Sequence, residues 1–305
     1  MASTASNLPT VDPDTGRRRG RTGYLLLLPA ALWLGIFFVI PFYSLVATSL
    51  FDPSGSDATG YEMTYHFANY WTVLKEYGKP ESWTNLGPLL RSLVYAGIAT
   101  FLCLLLGYVL AYAIAFKAGR WKYLMLVLVV APFFTSFLVR TLSWKLILAD
   151  NGYVVSALQT VHILGSDGRL LATPIAVVAG LTYNFLPFMV LPLFASLDKI
   201  DHRLIEAAGD LYAKPATGFF KVTWPLSLPG VVSGTLLTFI PAAGDYINAQ
   251  LLGSPNQRMI GSVINQQFTR AHDYPAAAAL SMILMFVIIA MVLVYVRRAG
   301  TEELL

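Results

Sequence analysis

Six long segments of the chain contain no Asp, Glu, Lys or Arg, and this pattern constrains the fold more than any other feature. The segments cover residues 22–51, 92–116, 123–139, 170–197, 222–244 and 274–296. A helix that crosses a bilayer needs roughly 20 mainly apolar residues. Helices and closed barrels are the structures that satisfy their backbone hydrogen bonds inside lipid, and these segments lack the alternation of barrel strands. The sequence therefore predicts an all-α integral membrane protein with six transmembrane helices.

Composition and segment length refine this prediction. Charged residues are 12% of the chain, about half the roughly 25% that is usual in soluble domains. The third segment is short for a span, and it becomes long enough if its helix continues past Arg140 to Leu148. The first segment follows an Arg cluster, as in a signal peptide, but it is too long and no convincing cleavage site follows it. We therefore expect an uncleaved first helix.

The positive charges are distributed unevenly between the loops. With the amino terminus in the cytoplasm, 13 Lys and Arg residues lie inside, 6 lie outside, and Arg140 and Lys145 lie in or near the third span. This excess follows the positive-inside rule, and an even number of spans places both termini in the cytoplasm. The predicted external connections are 52–90, 149–172 and 249–273, and the internal ones are 117–122 and 198–225. Because the charges sort by loop and form no single patch, the net charge of +4 does not indicate nucleic-acid binding.

The sequence lacks the common signatures of catalytic and cofactor sites. Its four histidines are scattered without metal-ligand spacing, and no glycine-rich phosphate-binding motif with Lys and Ser or Thr is present. The single cysteine, Cys103, lies inside the second segment, where a small buried apolar residue is the simplest interpretation. We predict no catalytic, cofactor or metal site on this chain.

The loop at 198–225 is longer than a connection between two helices requires. It contains the run Glu206-Ala207-Ala208-Gly209-Asp210-Leu211-Tyr212-Ala213, and Phe220-Lys221-Val222-Thr223-Trp224-Pro225 follows. This loop resembles the EAA loop of permease subunits in bacterial ABC importers. In that family the loop forms a short coupling helix that sits in a groove of the ATPase subunit. The resemblance assigns ATPase coupling to Glu206, Ala207, Ala208, Asp210, Leu211, Tyr212 and Ala213.

Two positions depart from the family pattern. The motif has glycine where this chain has Tyr212, and it has leucine where this chain has Trp224. If Tyr212 keeps the glycine conformation with positive φ, its Cβ costs about 1–2 kcal/mol. The alternatives are a turn that has moved to Gly209, or a rebuilt turn whose Tyr212 ring packs on the partner.

Other segments narrow the resemblance to permeases of the spermidine/putrescine type. They are 132–141 in the third span, 185–193 in the fourth, and 239–246 with 251–253 at the fifth. The resemblance covers about residues 23–298 and implies type I ABC-importer permease architecture in the bacterial plasma (inner) membrane. It also implies a second homologous permease, two ATPase subunits that bind ATP and Mg, and an extracytoplasmic substrate-binding protein. The expected divisions are a disordered cytoplasmic tail, the permease domain and a second cytoplasmic tail, at 1–21, 22–298 and 299–305.

Four residues are candidates for the substrate pathway, because carboxylates and aromatic faces suit a cationic substrate and ionisable groups in membranes often serve function. They are Asp245, Tyr246, Trp144 and Arg140. Asp245 either lines the pathway or forms a structural pair with Arg140 or Lys145. Arg140 either lines the pathway, snorkels to the interface or is paired. Trp144 either presents its ring to the substrate or anchors the helix at the interface.

Import of polyamines along a pathway shared with a second permease is the leading functional hypothesis. Sibling permeases carry sugars, iron or oxyanions, so these substrates are alternatives. A membrane enzyme acting on lipid is a competing class, but the sequence has no cluster of catalytic His, Asp or Ser near an interface. A channel or secondary carrier rarely needs a coupling loop, and many carriers have an inverted repeat that is not clearly visible here.

Overall fold

The computed structural model describes residues 27–55, 60–77, 87–162, 164–165 and 168–299. Apart from isolated bridge residues, among them the antiparallel pair Phe51 and Met63, the regular structure in these ranges is helical. The expected tail at 1–21 and residues 300–305 of the second tail lie outside the described residues. In chain order the helices are α1 (Leu27–Ser49), α2 (Ala68–Tyr77), α3 (Pro88–Phe116), α4 (Lys122–Val130), α5 (Phe137–Ile147), α6 (Tyr153–Thr160), α7 (Pro174–Leu197), α8 (His202–Asp210), α9 (Pro215–Gly218), α10 (Trp224–Ala243), α11 (Ile247–Leu252), α12 (Ile260–Gln266) and α13 (Tyr274–Ala299).

Five unbroken helical runs in the described part of the chain are long and apolar enough to cross a membrane. Four of them are α1, α3, α7 and α13. The fifth, Pro215–Ala243, joins α9 to α10 through a π-helical turn at Phe219–Thr223. The candidate for a sixth span is a bent pair, in which Gly119–Phe134 and Phe137–Ile147 meet at 91°. With the bent pair counted as one span, the described residues contain the predicted six.

The helical structure of the third segment continues past Arg140, to Ile147, but it is broken in the middle. There α4 leads into a 3₁₀ turn at Ala131–Phe134, and the backbone is extended at Thr135, with φ −97° and ψ 151°. Pro132 has no N–H to donate to a preceding turn, and the Thr135 hydroxyl donates back to the Pro132 carbonyl at 2.7 Å. The helix is therefore interrupted at Thr135, and α5, which carries Arg140, takes a new direction.

The centre of the bundle is formed by α3, α7 and α10. Backbones of α7 and α10 approach closely at Gly230, where an added Cβ would lie 2.7 Å from the carbonyl oxygen of Pro192. Small residues at such contacts are common in membrane proteins, because lipid supplies no hydrophobic force between helices and close packing takes its place. This packing fixes the base of α10, which is where the loop at 198–225 arrives.

The first helix lies at the edge of the bundle. It packs mainly against α13, and large apolar side chains such as Trp33 and Phe38 are exposed. A helix that is apolar around its circumference is stable where it meets lipid or another membrane subunit. This edge helix therefore fits an integral membrane protein rather than a soluble one.

Candidate functional site

The predicted coupling segment forms α8, as its helix-forming residues indicated. Asp201 begins the helix, since its carboxylate accepts a hydrogen bond from the backbone N–H of Arg203 at 2.9 Å. On the inner face, Ile205 packs against the apolar cluster at the base of α3 and α7. Ala208 is half-buried on the same face, with its Cβ 3.9 Å from the position of a Cβ added to Gly218. Glu206, Ala207 and Asp210 are exposed on the outer face.

Tyr212 ends α8 in the left-handed conformation, with φ 57°. The backbone N–H of Tyr212 donates to the Gly209 carbonyl at 2.9 Å, and that of Ala213 donates to the Ala208 carbonyl at 3.1 Å. This bond pair is the Schellman motif, whose left-handed position is usually glycine. The turn has not moved to Gly209, which lies inside the helix. Tyr212 keeps the glycine conformation, and its side chain is 97% exposed beside Leu211 at 82%.

Aromatic rings connect the base of α10 to α3. Tyr108 of α3 shares a hydrogen bond of 2.8 Å with the Ser227 hydroxyl. Its ring lies 5.6 Å from that of Phe219 and 5.3 Å from that of Trp224. Trp224, at the position where the family pattern has leucine, therefore packs inside the chain. These contacts join the end of the loop to the central helices.

An ion pair fixes the beginning of the same loop. The ammonium group of Lys122, at the start of α4, contacts the carboxylate of Asp198, which directly follows α7. The Lys122 ammonium also lies 5.4 Å from the centre of the Phe194 ring. Both side chains are partly exposed, so the pair positions the loop more than it stabilises the fold.

A cluster of uncharged polar residues is buried where α5, α7 and α11 meet. The Asn184 amide donates to the Asn248 side-chain oxygen at 3.1 Å and lies 3.3 Å from the Thr141 hydroxyl. Gly180 makes this approach possible, because a Cβ there would lie 2.4 Å from Leu252 and 2.9 Å from the Asn248 side-chain oxygen. Buried polar groups are stable when they bond to one another. The cluster therefore ties the bent third span to the fourth and to α11.

Asp245 lies next to this cluster, between α10 and α11. Its side chain is 9% exposed, and its Oδ1 accepts a hydrogen bond from the backbone N–H of Asn248 at 2.8 Å. The carboxylate thereby caps the first turn of α11, as Asp commonly does. Within the described residues, no ion pair joins Asp245 to Arg140 or Lys145. In the described part of this single chain, Asp245 is therefore bonded to the start of α11 and to neither of these cations.

Arg140 is buried, with 8% of its side chain exposed. Its guanidinium carbon lies 4.8 Å from the centre of the Phe133 ring and 5.6 Å from that of Phe137. Its Nε and Nη1 have no hydrogen-bond partner among the described residues. The Arg140 charge is therefore stabilised by cation–π contact with the Phe133 and Phe137 rings, which lie at the break of the third span.

The remaining pathway candidates are less buried. Trp144 is half-buried, and its ring packs 5.5 Å from that of Tyr183 on α7. This contact packs Trp144 against the fourth span, and both predicted roles of its ring stay open. Tyr246 is 41% exposed, and its backbone carbonyl accepts a hydrogen bond of 3.4 Å from the Ser262 hydroxyl. The structure thus places Asp245 and Tyr246 together beside α11, whereas Arg140 and Trp144 lie on α5.

Sequence reasoning missed the buried amides. Asn184 is the one Asn in the uncharged segment 170–197, and a search for charges alone passes over it. An isolated amide in an apolar span is itself a signal, because burying it without a partner is costly. The sequence did not mark Asn248 in the same way, because Asn248 follows the fifth segment, where polar residues are expected in a connection between helices.

Comparison with known proteins identifies the family. Residues 103–299 match the family described as binding-protein-dependent transport system inner membrane component, which is more than half of the chain. The chain belongs to this family. It is therefore a membrane-embedded component of a transport system, as the sequence predicted, and not an enzyme. Two curated relatives are the spermidine/putrescine transport system permease proteins PotB of Haemophilus influenzae and of Escherichia coli K12.

The relatives cover nearly the whole chain. Each PotB protein is 36% identical over 265 residues, which span 87% of this chain and 90% of the Haemophilus or 93% of the Escherichia protein. The fold matches a bacterial alginate ABC transporter solved in complex with an alginate pentasaccharide-bound periplasmic protein. That match has a TM-score of 0.70 at 17% identity and covers 95% of this chain and 97% of the other. At this identity it shows the fold alone, which is that of an ABC-importer permease.

Proposed function

We propose that this chain imports polyamines of the spermidine and putrescine class, together with a second, homologous permease. The observation that carries this proposal is the 36% identity to two spermidine/putrescine permeases over 87% of the chain. A substrate pathway between two similar subunits also explains why large apolar surfaces, such as that of α1, are exposed in a single chain. The predicted partners are the second permease, two ATPase subunits and an extracytoplasmic binding protein.

The coupling proposal follows from the two faces of α8. Its inner face packs against the bundle through Ile205, and Ala208 is half-buried beside Gly218, while Glu206, Ala207 and Leu211 are exposed. A compact helix with an unfilled outer face fits a groove in another protein. The ATPase subunits bind and hydrolyse ATP with Mg, and their closure moves α8. Tyr108, Phe219 and Trp224 then transmit that movement to α3 and α10.

The substrate pathway is proposed to pass near Asp245 and Tyr246, with Trp144 as a more distant candidate. Arg140, the fourth candidate from the sequence, is set aside for the reason that follows. Ammonium groups that lose water need carboxylates, carbonyls or aromatic faces in exchange. A bare guanidinium would repel the same cargo, and the rings of Phe133 and Phe137 cover that of Arg140. We infer that Arg140 is shielded from the cargo and does not bind it.

Reconstitution tests the proposed substrate. The complex in proteoliposomes is supplied with its binding protein and with spermidine, putrescine, maltose, ferric iron or sulfate, one at a time. ATP hydrolysis and uptake should rise with the two polyamines and stay at the basal level with the others. Stimulation by maltose, iron or sulfate alone would replace polyamines by that solute class, while leaving the importer function in place.

The orientation of the chain is tested by cysteine labelling. In a Cys103→Ser background, a cysteine at exposed Asn151 should react with an impermeant maleimide added outside intact cells. A cysteine at exposed Thr217 should react only after the inner face is opened, because the loop at 198–225 is proposed to be cytoplasmic. Labelling of both cysteines from one side would contradict the orientation and the even number of spans.

The strained turn at Tyr212 is tested by two variants that both remove the ring. Tyr212→Ala keeps a Cβ at φ 57°, whereas Tyr212→Gly does not. The glycine variant should therefore be more stable to thermal unfolding, by about 1 kcal/mol. If the exposed ring packs on the ATPase, both variants should lose ATPase affinity by a similar factor, about tenfold, in a pull-down titration. Equal stability of the two variants would mean that the turn is relaxed, and unchanged affinity would mean that the ring is not used.

A further inference from the structure

A polar cleft lies at the end of the bundle opposite to α8. It has a volume of about 300 Å³ and lies between α11, the loop that follows it and α12. We call it the arginine cleft, after Arg258 and Arg270, and its polar lining also includes Gln250, Asn265 and Gln266. The 20 residues of α10 separate it from the coupling loop, a length of roughly 30 Å at 1.5 Å per residue. In the proposed orientation the cleft therefore faces the outside.

The loop that forms one wall of the arginine cleft is held by α3, on the side away from the cleft. Arg91 of α3 is 5% exposed and donates to the carbonyl oxygen of Arg258 at 3.1 Å. The Ser92 hydroxyl accepts a hydrogen bond from the backbone N–H of Ile260 at 2.7 Å. On the cleft side, Arg258 donates to the carbonyl of Pro255 at 2.8 Å and to the Gln266 side-chain oxygen. Because the loop is already fixed, binding of a partner costs little conformational entropy for ordering it.

The charges of the cleft are unbalanced. Its lining contains no Asp or Glu, and in the described part of the chain neither Arg258 nor Arg270 forms an ion pair. The exposed Arg169 on the same proposed side contrasts with them, because it is paired with Asp150 at 2.6 Å. Two uncompensated guanidinium groups attract carboxylates and repel ammonium groups. The cleft is thus unsuited to a polyamine and suited to an anionic partner.

The position of the cleft beside the proposed outer mouth of the pathway indicates which partner it binds. Ser262 lines the cleft and donates to the carbonyl of Tyr246, which directly follows Asp245. The cleft therefore borders the proposed outer mouth of the pathway, where a binding protein must deliver its cargo. Amides beside the arginines suit protein side chains and backbone. A larger cleft between α2 and α13 is lined instead by apolar residues such as Trp71 and Phe286, as a lipid chain would require.

We infer that the arginine cleft receives carboxylate side chains of the extracytoplasmic binding protein and so aligns that protein over the pathway. This inference rests on the proposed importer function. Arg258 and Arg270 form the charge-assisted hydrogen bonds, and Gln250 and Asn265 complete the contact. Charged contacts at the rim of an interface act mainly on the association rate and its salt dependence. The cleft therefore tunes docking of the binding protein and takes no part in ATP hydrolysis.

The test measures how much spermidine-loaded binding protein gives half-maximal stimulation of ATP hydrolysis by the complete complex. In the double variant Arg258→Gln/Arg270→Gln that concentration should rise by about three- to tenfold, as expected for the loss of two exposed charge contacts. Its salt dependence should weaken as well. The double variant Arg258→Lys/Arg270→Lys should retain most of the affinity. Co-purification of the ATPase subunits checks assembly in each case.

Arg169→Gln is the matched control, since it removes one exposed outer guanidinium that Asp150 already engages. Hydrogen bonds from Arg169 hold the pKa of Asp150 below its ordinary value. The control should leave the concentration for half-maximal stimulation unchanged.

A wild-type response of the Arg258→Gln/Arg270→Gln variant would overturn the inference while the importer function stood. A defect seen in phosphatidylglycerol vesicles but absent in detergent would assign the cleft to lipid headgroups instead. If the binding protein fails to stimulate even the unmodified complex, the importer function is wrong and the cleft loses its partner.

Discussion

Glu206→Lys combined with Ala207→Asp should release the ATPase subunits and reduce ATP-driven uptake by about 100-fold. Both residues are exposed on the outer face of α8, away from Ile205 and Ala208. Charges of the wrong sign, or charges buried without a partner, cost roughly 2–5 kcal/mol at an interface, and about 2.7 kcal/mol corresponds to 100-fold in affinity. Co-purification of the ATPase subunits and uptake of labelled spermidine measure the two effects.

The fold should survive this change, because neither side chain packs inside the chain. Thermal unfolding of the purified permease pair checks that. Glu62→Lys is the matched control, since Glu62 is also exposed but lies in a proposed external connection. Ala208→Asp is a poorer test, because Ala208 is half-buried beside Gly218 and a carboxylate there would disturb the chain itself. Normal ATPase binding by the Glu206/Ala207 variant would show that α8 is not the coupling helix.

The coupling loop could be predicted because its signals are local. Helix formers at 204–208 give α8, and the Asp201 cap is a standard beginning. The position of Tyr212 in the family pattern even located the left-handed residue. The sequence did not decide between three forms of the turn, because the Schellman bonds of Tyr212 and Ala213 depend on where the helix ends, and end residues are weakly specified.

The bent third span and the buried amides were not predictable in the same way. Hydropathy measures how apolar a segment is and carries no information on its direction, so it did not reveal the break at Thr135. The local signal was Pro132 followed by Thr135, whose hydroxyl replaces a helical bond. Asn184 and Asn248 are 64 residues apart, and their contact depends on how closely α11 approaches Gly180. Such contacts are a property of the packed bundle and not of either segment.

Asp245 stays the leading candidate for contact with the cationic substrate, and the structure sharpens its test. Its carboxylate also caps α11, so removing it changes both a charge and a helix end. Asn caps helices about as well as Asp, whereas Ala costs about 1 kcal/mol. Asp245→Asn therefore removes the charge alone, and Asp245→Ala removes the charge and the cap.

We expect Asp245→Asn to lower spermidine uptake by about tenfold, because one carboxylate that meets a partly dehydrated ammonium group contributes on the order of 1–2 kcal/mol. Assembly and basal ATP hydrolysis should persist, because Asn248 keeps its hydrogen bond to the side-chain oxygen. Asp245→Ala should show the same loss of uptake and also a lower unfolding temperature. If Asp245→Asn transports normally, the residue serves α11 alone. If it fails to assemble, the charge is needed by a partner subunit, since in the described part of the chain neither Arg140 nor Lys145 pairs with it.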